Sequence, residues 1–179
     1  MFKMTLGALA LVLSLVQADA APGASKLTFV GDPLVAKYDS LGAQGGLIEF
    51  VPPNETIEGW TRLVGYRAFL DSPQSAPEAA AALARQTRQR YPGTSPTLYE
   101  RGNEAVVEFA LTAADGTVEY NVFRYAAGPG GRGVVALQYA RRLRGHALAM
   151  MSRQAPRWAA EVTRFDMNRV RAAFASPGG

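Results

Sequence analysis

The sequence predicts an α+β fold: an antiparallel β-sheet that includes a C-terminal strand meander, flanked by one helix from the first half of the chain and by a C-terminal amphipathic helix. Three observations carry this. Short runs rich in β-branched and aromatic residues recur between Gly, Pro, Asn and Asp punctuation. The tetrapeptide Ser75-Ala76-Pro77-Glu78 is a helix start, and apolar residues from Leu148 to Phe165 recur at spacings of three and four.

The elements follow in order. Leu27 to Val30 is a first strand, closed by Gly31-Asp32-Pro33, and Leu34 to Tyr38 a second, followed by a loop from Gly42 to Gly46. Leu47 to Val51 is a strand that Pro52-Pro53 must stop, because proline cannot donate to a ladder. Asn54 is placed to cap one helical turn over Glu55 to Gly59. Trp60 to Leu70 has no clean polar face, which predicts a central strand. Ser75 then caps a helix through Arg90, with Pro77 in its first turn and Glu78 where a capping box puts its acid. Its alanine-rich apolar face implies close packing on the sheet.

Period two returns after Thr97. Thr97 to Glu100, Glu104 to Thr112, Thr117 to Tyr125 and Val134 to Ala140 are strands, with hairpin turns at Ala113-Ala114-Asp115-Gly116 and at Gly128 to Gly131. The last helix carries Leu148, Met151, Ala155, Trp158, Val162 and Phe165 on one face; Pro156 predicts a break or kink within it, and Met167 to Ala175 a second helical piece. Both helices are expected on one face of the sheet.

The first twenty residues have the order of a secretory signal peptide: Lys3, the apolar run Leu6 to Val16, then Ala18-Asp19-Ala20. Cleavage is expected between Ala20 and Ala21, giving residues 1–20 as signal peptide, 21–26 as a flexible leader and 27–175 as a single α+β domain. The apolar run is about half the roughly 20 residues that span a bilayer, so no transmembrane anchor is expected. Arg, Ala and Gly are abundant while Lys is scarce, a bias that fits a GC-rich bacterial genome and reads export as periplasmic or secreted.

The chain has no Cys and one His, which excludes thiol nucleophiles, disulfides, Cys-ligated metal and lipidation of a mature N-terminal cysteine. His146 has no acid near it in sequence and reads as a loop residue, and Trp60 and Trp158 read as core. No catalytic or cofactor motif is present; Glu104 and Glu108 share a strand face that reads as solvent side. The charge is uneven: from Arg132 to Arg171 there are nine arginines against only Glu161 and Asp166, leaving the remainder net negative. Such polarity can attract anionic partners. The candidate contact residues are Arg141, Arg142, Arg144, Arg153 and Arg157. The competing reading is that these stems cover apolar surface while their heads stay solvated.

The run Leu47 to Leu63, with Pro52-Pro53, a short turn and Trp60-Thr61, resembles the entry segment of small exported proteobacterial proteins of unassigned function. With the order of elements from 27 to 165, the layout is similar to the Mog1/PsbP-like fold, which includes the DcrB family of periplasmic proteins. That resemblance implies a helix-flanked antiparallel sheet used as a non-catalytic binding or accessory module; unlike DcrB-type lipoproteins, this chain lacks the anchoring Cys. The expected function is therefore a periplasmic or secreted binding or accessory protein of the cell envelope, contacting a protein or an anionic envelope component through its basic C-terminal surface, without cofactor or nucleic acid. A secreted inhibitor or immunity-type protein with one protein partner, and a small hydrolase using Glu or His146, are the alternatives.

Overall fold

The computed structural model describes residues 26–175; the expected signal peptide and residues 21–25 of the leader lie outside them. Eight strands of the described residues form one antiparallel sheet: β1 (Lys26–Phe29), β2 (Asp32–Gly42), β3 (Gly45–Val51), β4 (Arg62–Phe69), β5 (Thr97–Arg101), β6 (Glu104–Thr112), β7 (Val118–Ala127) and β8 (Val134–Leu143). Their spatial order is β1-β2-β3-β4-β8-β7-β6-β5. Each half of the chain makes its own hairpin meander, and β4 joins the two by pairing with β8 from Arg62↔Arg141 to Phe69↔Val134. The central position expected for β4 follows from its burial on both sides.

Three helices cover the sheet: α1 (Ala76–Arg90), α2 (Leu148–Arg164) and α3 (Met167–Ala173). Ser75 and Glu78 form the capping box of α1: the Ser75 hydroxyl accepts from the Glu78 amide, and the Glu78 carboxylate accepts from the Ser75 amide at 2.7 Å. The two helical layers lie on opposite faces, which corrects the expectation of one shared face. Alternate residues of β8 show why: Val134 and Ala136 pack under α1 with Ala80, Leu83 and Ala84, whereas Val135, Leu137 and Tyr139 pack under α2 and α3 with Trp158, Val162 and Val170. A strand that is apolar on both faces demands cover on both.

Other local expectations shift in instructive ways. The loop expected over Gly42 to Gly46 is a tight hairpin, with Gly42 opposite Gly45. Residues Glu55 to Gly59 form no helical turn; instead the Glu55 carboxylate accepts from the Thr61 amide at 2.6 Å and the Thr61 hydroxyl at 2.7 Å, folding the connection so that Trp60 caps Val51, Leu63 and Ala140. Pro156 does not end α2; it stands on an exposed part of that helix. The loop before β8 needs glycine at 133, where φ is +60° and a Cβ would meet the Phe69 carbonyl oxygen at 2.3 Å.

Candidate functional site

Helix α2 lies on the sheet as a ridge. Trp158 and Val162 are buried beneath it, and Trp158 packs edge to face with Tyr139 and tilted against Tyr120. Because the sheet is wider than the helix, a cleft is left along each flank.

The larger cleft, about 600 Å³, lies between α2 and the β5–β6 pair. Ala155, Pro156, Ala159 and Ala160 make its helical wall, too short to reach Tyr99 and Val106 on the strands. Glu104 and Glu108, which the sequence places on a solvent face, line this cleft. Its one half-buried cation is fully used. Arg124 donates through Nε and Nη2 to the Glu104 carboxylate at 2.8 and 2.6 Å, and through Nη1 to the Thr163 and Phe165 carbonyls at 2.7 and 2.8 Å. Those carbonyls end α2, where orphan acceptors and the negative end of the helix dipole favour a cation. The Tyr120 hydroxyl donates to the Ala155 carbonyl at 3.3 Å; burial, with Glu108 beside it, keeps that hydroxyl protonated far above the usual tyrosine range.

The smaller cleft, about 180 Å³, lies on the opposite flank, between α2 and the β1–β2 turn. Asp32, Arg141, Gln154, Arg157 and Trp158 line it. Its charges are less well matched. Arg62 Nη1 donates to the Asp32 carboxylate at 2.6 Å. Arg141, directly opposite Arg62 in the β4–β8 register, has only the Tyr139 hydroxyl at 3.3 Å and the face of Trp158 at 4.8 Å. The Nε atoms of Arg62 and Arg141 are shielded from solvent and have no acceptor; each such donor costs about 1–3 kcal/mol. The turn alongside is also strained: Val30 has φ of +54°, a region that a β-branched residue rarely enters.

The five arginines singled out from sequence therefore part company. An expected strand end at Ala140 leaves Arg141 to Arg144 in one loop, but β8 continues to Leu143 and neighbouring side chains point to opposite faces. Arg141 and Arg157 meet at the smaller cleft. Arg142 is on the α1 face, over the Trp60 ring at 3.9 Å, donating to Glu119 at 3.2 Å and the Glu58 carbonyl at 3.0 Å. It ends a buried polar chain in which Asn121 donates to Glu119, Gln138 to Asn121, and Arg67 to Gln138 and Glu49. Gly65 opens the room for that chain, since a Cβ there would sit 3.2 Å from Gln138 Oε1. Arg144 pairs with Asp115 and donates to the Thr117 hydroxyl at 2.6 Å; the Thr117 amide, with a smaller contribution from Arg144, holds the Asp115 carboxyl below its usual range. Arg153 is exposed on α2.

Sequence reasoning missed Arg62, which only the β4–β8 register brings to Arg141, and Asp32, which pairs with Arg62. The charge of Arg62 at the start of a central strand, whose one other charged residue is Arg67, was the available signal. His146 is exposed in a 3₁₀ turn, and among the described residues it has no hydrogen bond or ion pair to a carboxylate. No group of three or more potential metal ligands occurs among the described residues, and no helix there is long and apolar enough to cross a membrane.

No curated protein matches the chain. A family model does match residues 25–169, most of the sequence, and the chain accordingly belongs to that family, whose function is uncharacterised.

Proposed function

We propose that this is an exported, non-catalytic binding or accessory protein of the cell envelope, and that the outer side of α2 and the cleft beside it form its contact region for an anionic component. One observation carries the reading: of the five arginines in the basic final third that take part in no ion pair among the described residues, Arg141, Arg153 and Arg157 belong to α2 or to the strand beneath it, while on α3 Arg171 donates to the Ala127 carbonyl and Arg169 lies over the Phe165 ring. Arg132, Arg142, Arg144 and Arg164 each have a carboxylate. Uncompensated charge on one side is what raises the local concentration of an anionic partner. The signal-peptide order of residues 1–20 and the resemblance to Mog1/PsbP-like periplasmic modules support the envelope setting. Among the described residues, a hydrolytic role for His146 has no hydrogen-bonded acid to orient the imidazole.

The test has two readouts. The full chain expressed in a Gram-negative host yields an exported form whose intact mass begins at Ala21; a cytoplasmic, uncleaved product overturns the setting. The exported form co-sediments with phosphatidylcholine vesicles doped with phosphatidylglycerol but not with phosphatidylcholine alone, and raised salt or the Arg153→Gln/Arg157→Gln pair releases it. Binding that ignores both charge changes overturns the contact region.

A further inference from the structure

We infer that the smaller cleft is a binding pocket for a phosphate monoester group, with Arg141 as its central ligand and Arg157 completing it. The inference rests on the reading of this side as anion-facing and makes it specific.

Charge and space decide the ligand class. Arg141 and Arg157 line the cleft together with Asp32, whose carboxylate is already neutralised by Arg62, the cross-strand partner of Arg141, at 2.6 Å. The surplus is two positive charges, and a phosphate monoester carries about −1.5 to −2 at neutral pH. A singly charged carboxylate or phosphodiester leaves one cation uncompensated. Arg62 and Arg141 face each other across paired strands, and because Asp32 pairs with Arg62, Arg141 is the member of that like-charged pair left without an anion. Stacking on Trp158 at 4.8 Å holds the Arg141 guanidinium as a fixed plane, the form in which arginine recognises phosphate with two parallel donors. The cavity of about 180 Å³ admits a phosphate with a short esterified group. It lies below the roughly 300–1,000 Å³ typical of sites that enclose drug-sized ligands. The amino end of α2, whose dipole favours anions, lies at the same wall through Ala147.

Phosphate of this kind comes either from a free ester or from a lipid headgroup, and the experiment separates them. The exported protein is titrated with inorganic phosphate, glycerol phosphate, and short-chain monomeric phosphatidic acid, with short-chain phosphatidylcholine as control, following the Trp158 indole signal by NMR. The expected result is saturable binding of the three phosphate probes and none of the control, with Arg141→Gln weakening it about tenfold or more and Arg85→Gln, exposed on α1 at the opposite face, leaving it within about twofold. Binding of the soluble esters alone assigns the pocket to free phosphates, and binding of phosphatidic acid alone assigns it to headgroups; both support the pocket. No binding by the wild-type protein, or equal binding by Arg141→Gln, overturns it. Should the protein still co-sediment with phosphatidylglycerol vesicles in that case, the basic surface stands and only the pocket falls; loss of both sinks the two together.

Discussion

The two clefts flanking α2 differ in the opposite sense from their size. The larger, with about 600 Å³ between the helix and β5–β6, has its buried cation saturated: Arg124 satisfies Glu104 and the carbonyl end of α2 together. The smaller, with about 180 Å³, keeps Arg141 with one long hydrogen bond and a buried Nε donor without an acceptor, as has its cross-strand neighbour Arg62. Volume records where a helix of alanines fails to reach the sheet. Unsatisfied donors record where the protein carries a cost that its own residues do not offset. The arginine chemistry of the first cleft belongs to folding, and that of the second is free to meet something else.

The largest effect should come from the support the two clefts share. Trp158 is buried, packs against Tyr120 on one side and Tyr139 on the other, and carries Arg141 on its face. Trp158→Ala is expected to cost about 3–5 kcal/mol, measured as a fall in the urea midpoint at unchanged slope. Next comes Arg124→Met, which keeps the apolar stem but leaves Glu104 and the last α2 carbonyls without their donor; a loss of about 3 kcal/mol is expected. A near-neutral result there would break the comparison, because Arg124 would then be as dispensable to the fold as Arg141 is argued to be.

These differences were only partly legible in sequence, and the reason is physical. Capping at Ser75, the hairpin at Ala113 to Gly116 and the amphipathic stripe of α2 depend on residues a few positions apart, and all appear in the fold. The β4–β8 pairing joins residues some 70 positions apart, and no local pattern encodes its register. That β8 is apolar on both faces was itself a signal for cover on both sides, which reading only the alternate residues Val135, Leu137 and Tyr139 as its apolar face left unused. The end of the same strand blurred the site: Arg141 and Arg142 look like one basic cluster until the strand is extended to Leu143 and they separate, one to Trp158 and the other to Trp60.

The α1 face supplies an intermediate test, because its buried polar chain is satisfied throughout yet not free of strain in its protonation. Burial pushes the Glu49 carboxyl above its ordinary value of 4.5, with Arg67 opposing the shift. From pH 4.5 up to that raised value, the folded protein holds a proton that the unfolded chain has released. Glu49 therefore stabilises the fold most below pH 4.5, and its contribution is lost as pH rises through the window. Glu49→Gln, which cannot titrate, should remove that fall from a plot of denaturation midpoint against pH. A variant whose midpoints keep the wild-type slope would mean that Arg67 holds the carboxylate ionised throughout.

The smallest effect on stability is expected at the residue given the largest role in binding. Arg141→Met deletes a guanidinium that faces Arg62 and has a buried Nε without an acceptor; both losses relieve the fold. It also deletes the contact with the Trp158 ring, worth about 0.5–1 kcal/mol for a cation held over an aromatic face. The methionine side chain refills most of the space of the arginine stem against that ring. The opposing terms are of similar size, so the urea midpoint should move by no more than about 1 kcal/mol in either direction. Added phosphate should raise the wild-type midpoint and leave that of Arg141→Met where it was, since a ligand stabilises only the state that binds it. If instead Arg141→Met costs as much as Arg124→Met, the guanidinium is holding α2 to the sheet, and the two clefts are alike in being built for the fold alone.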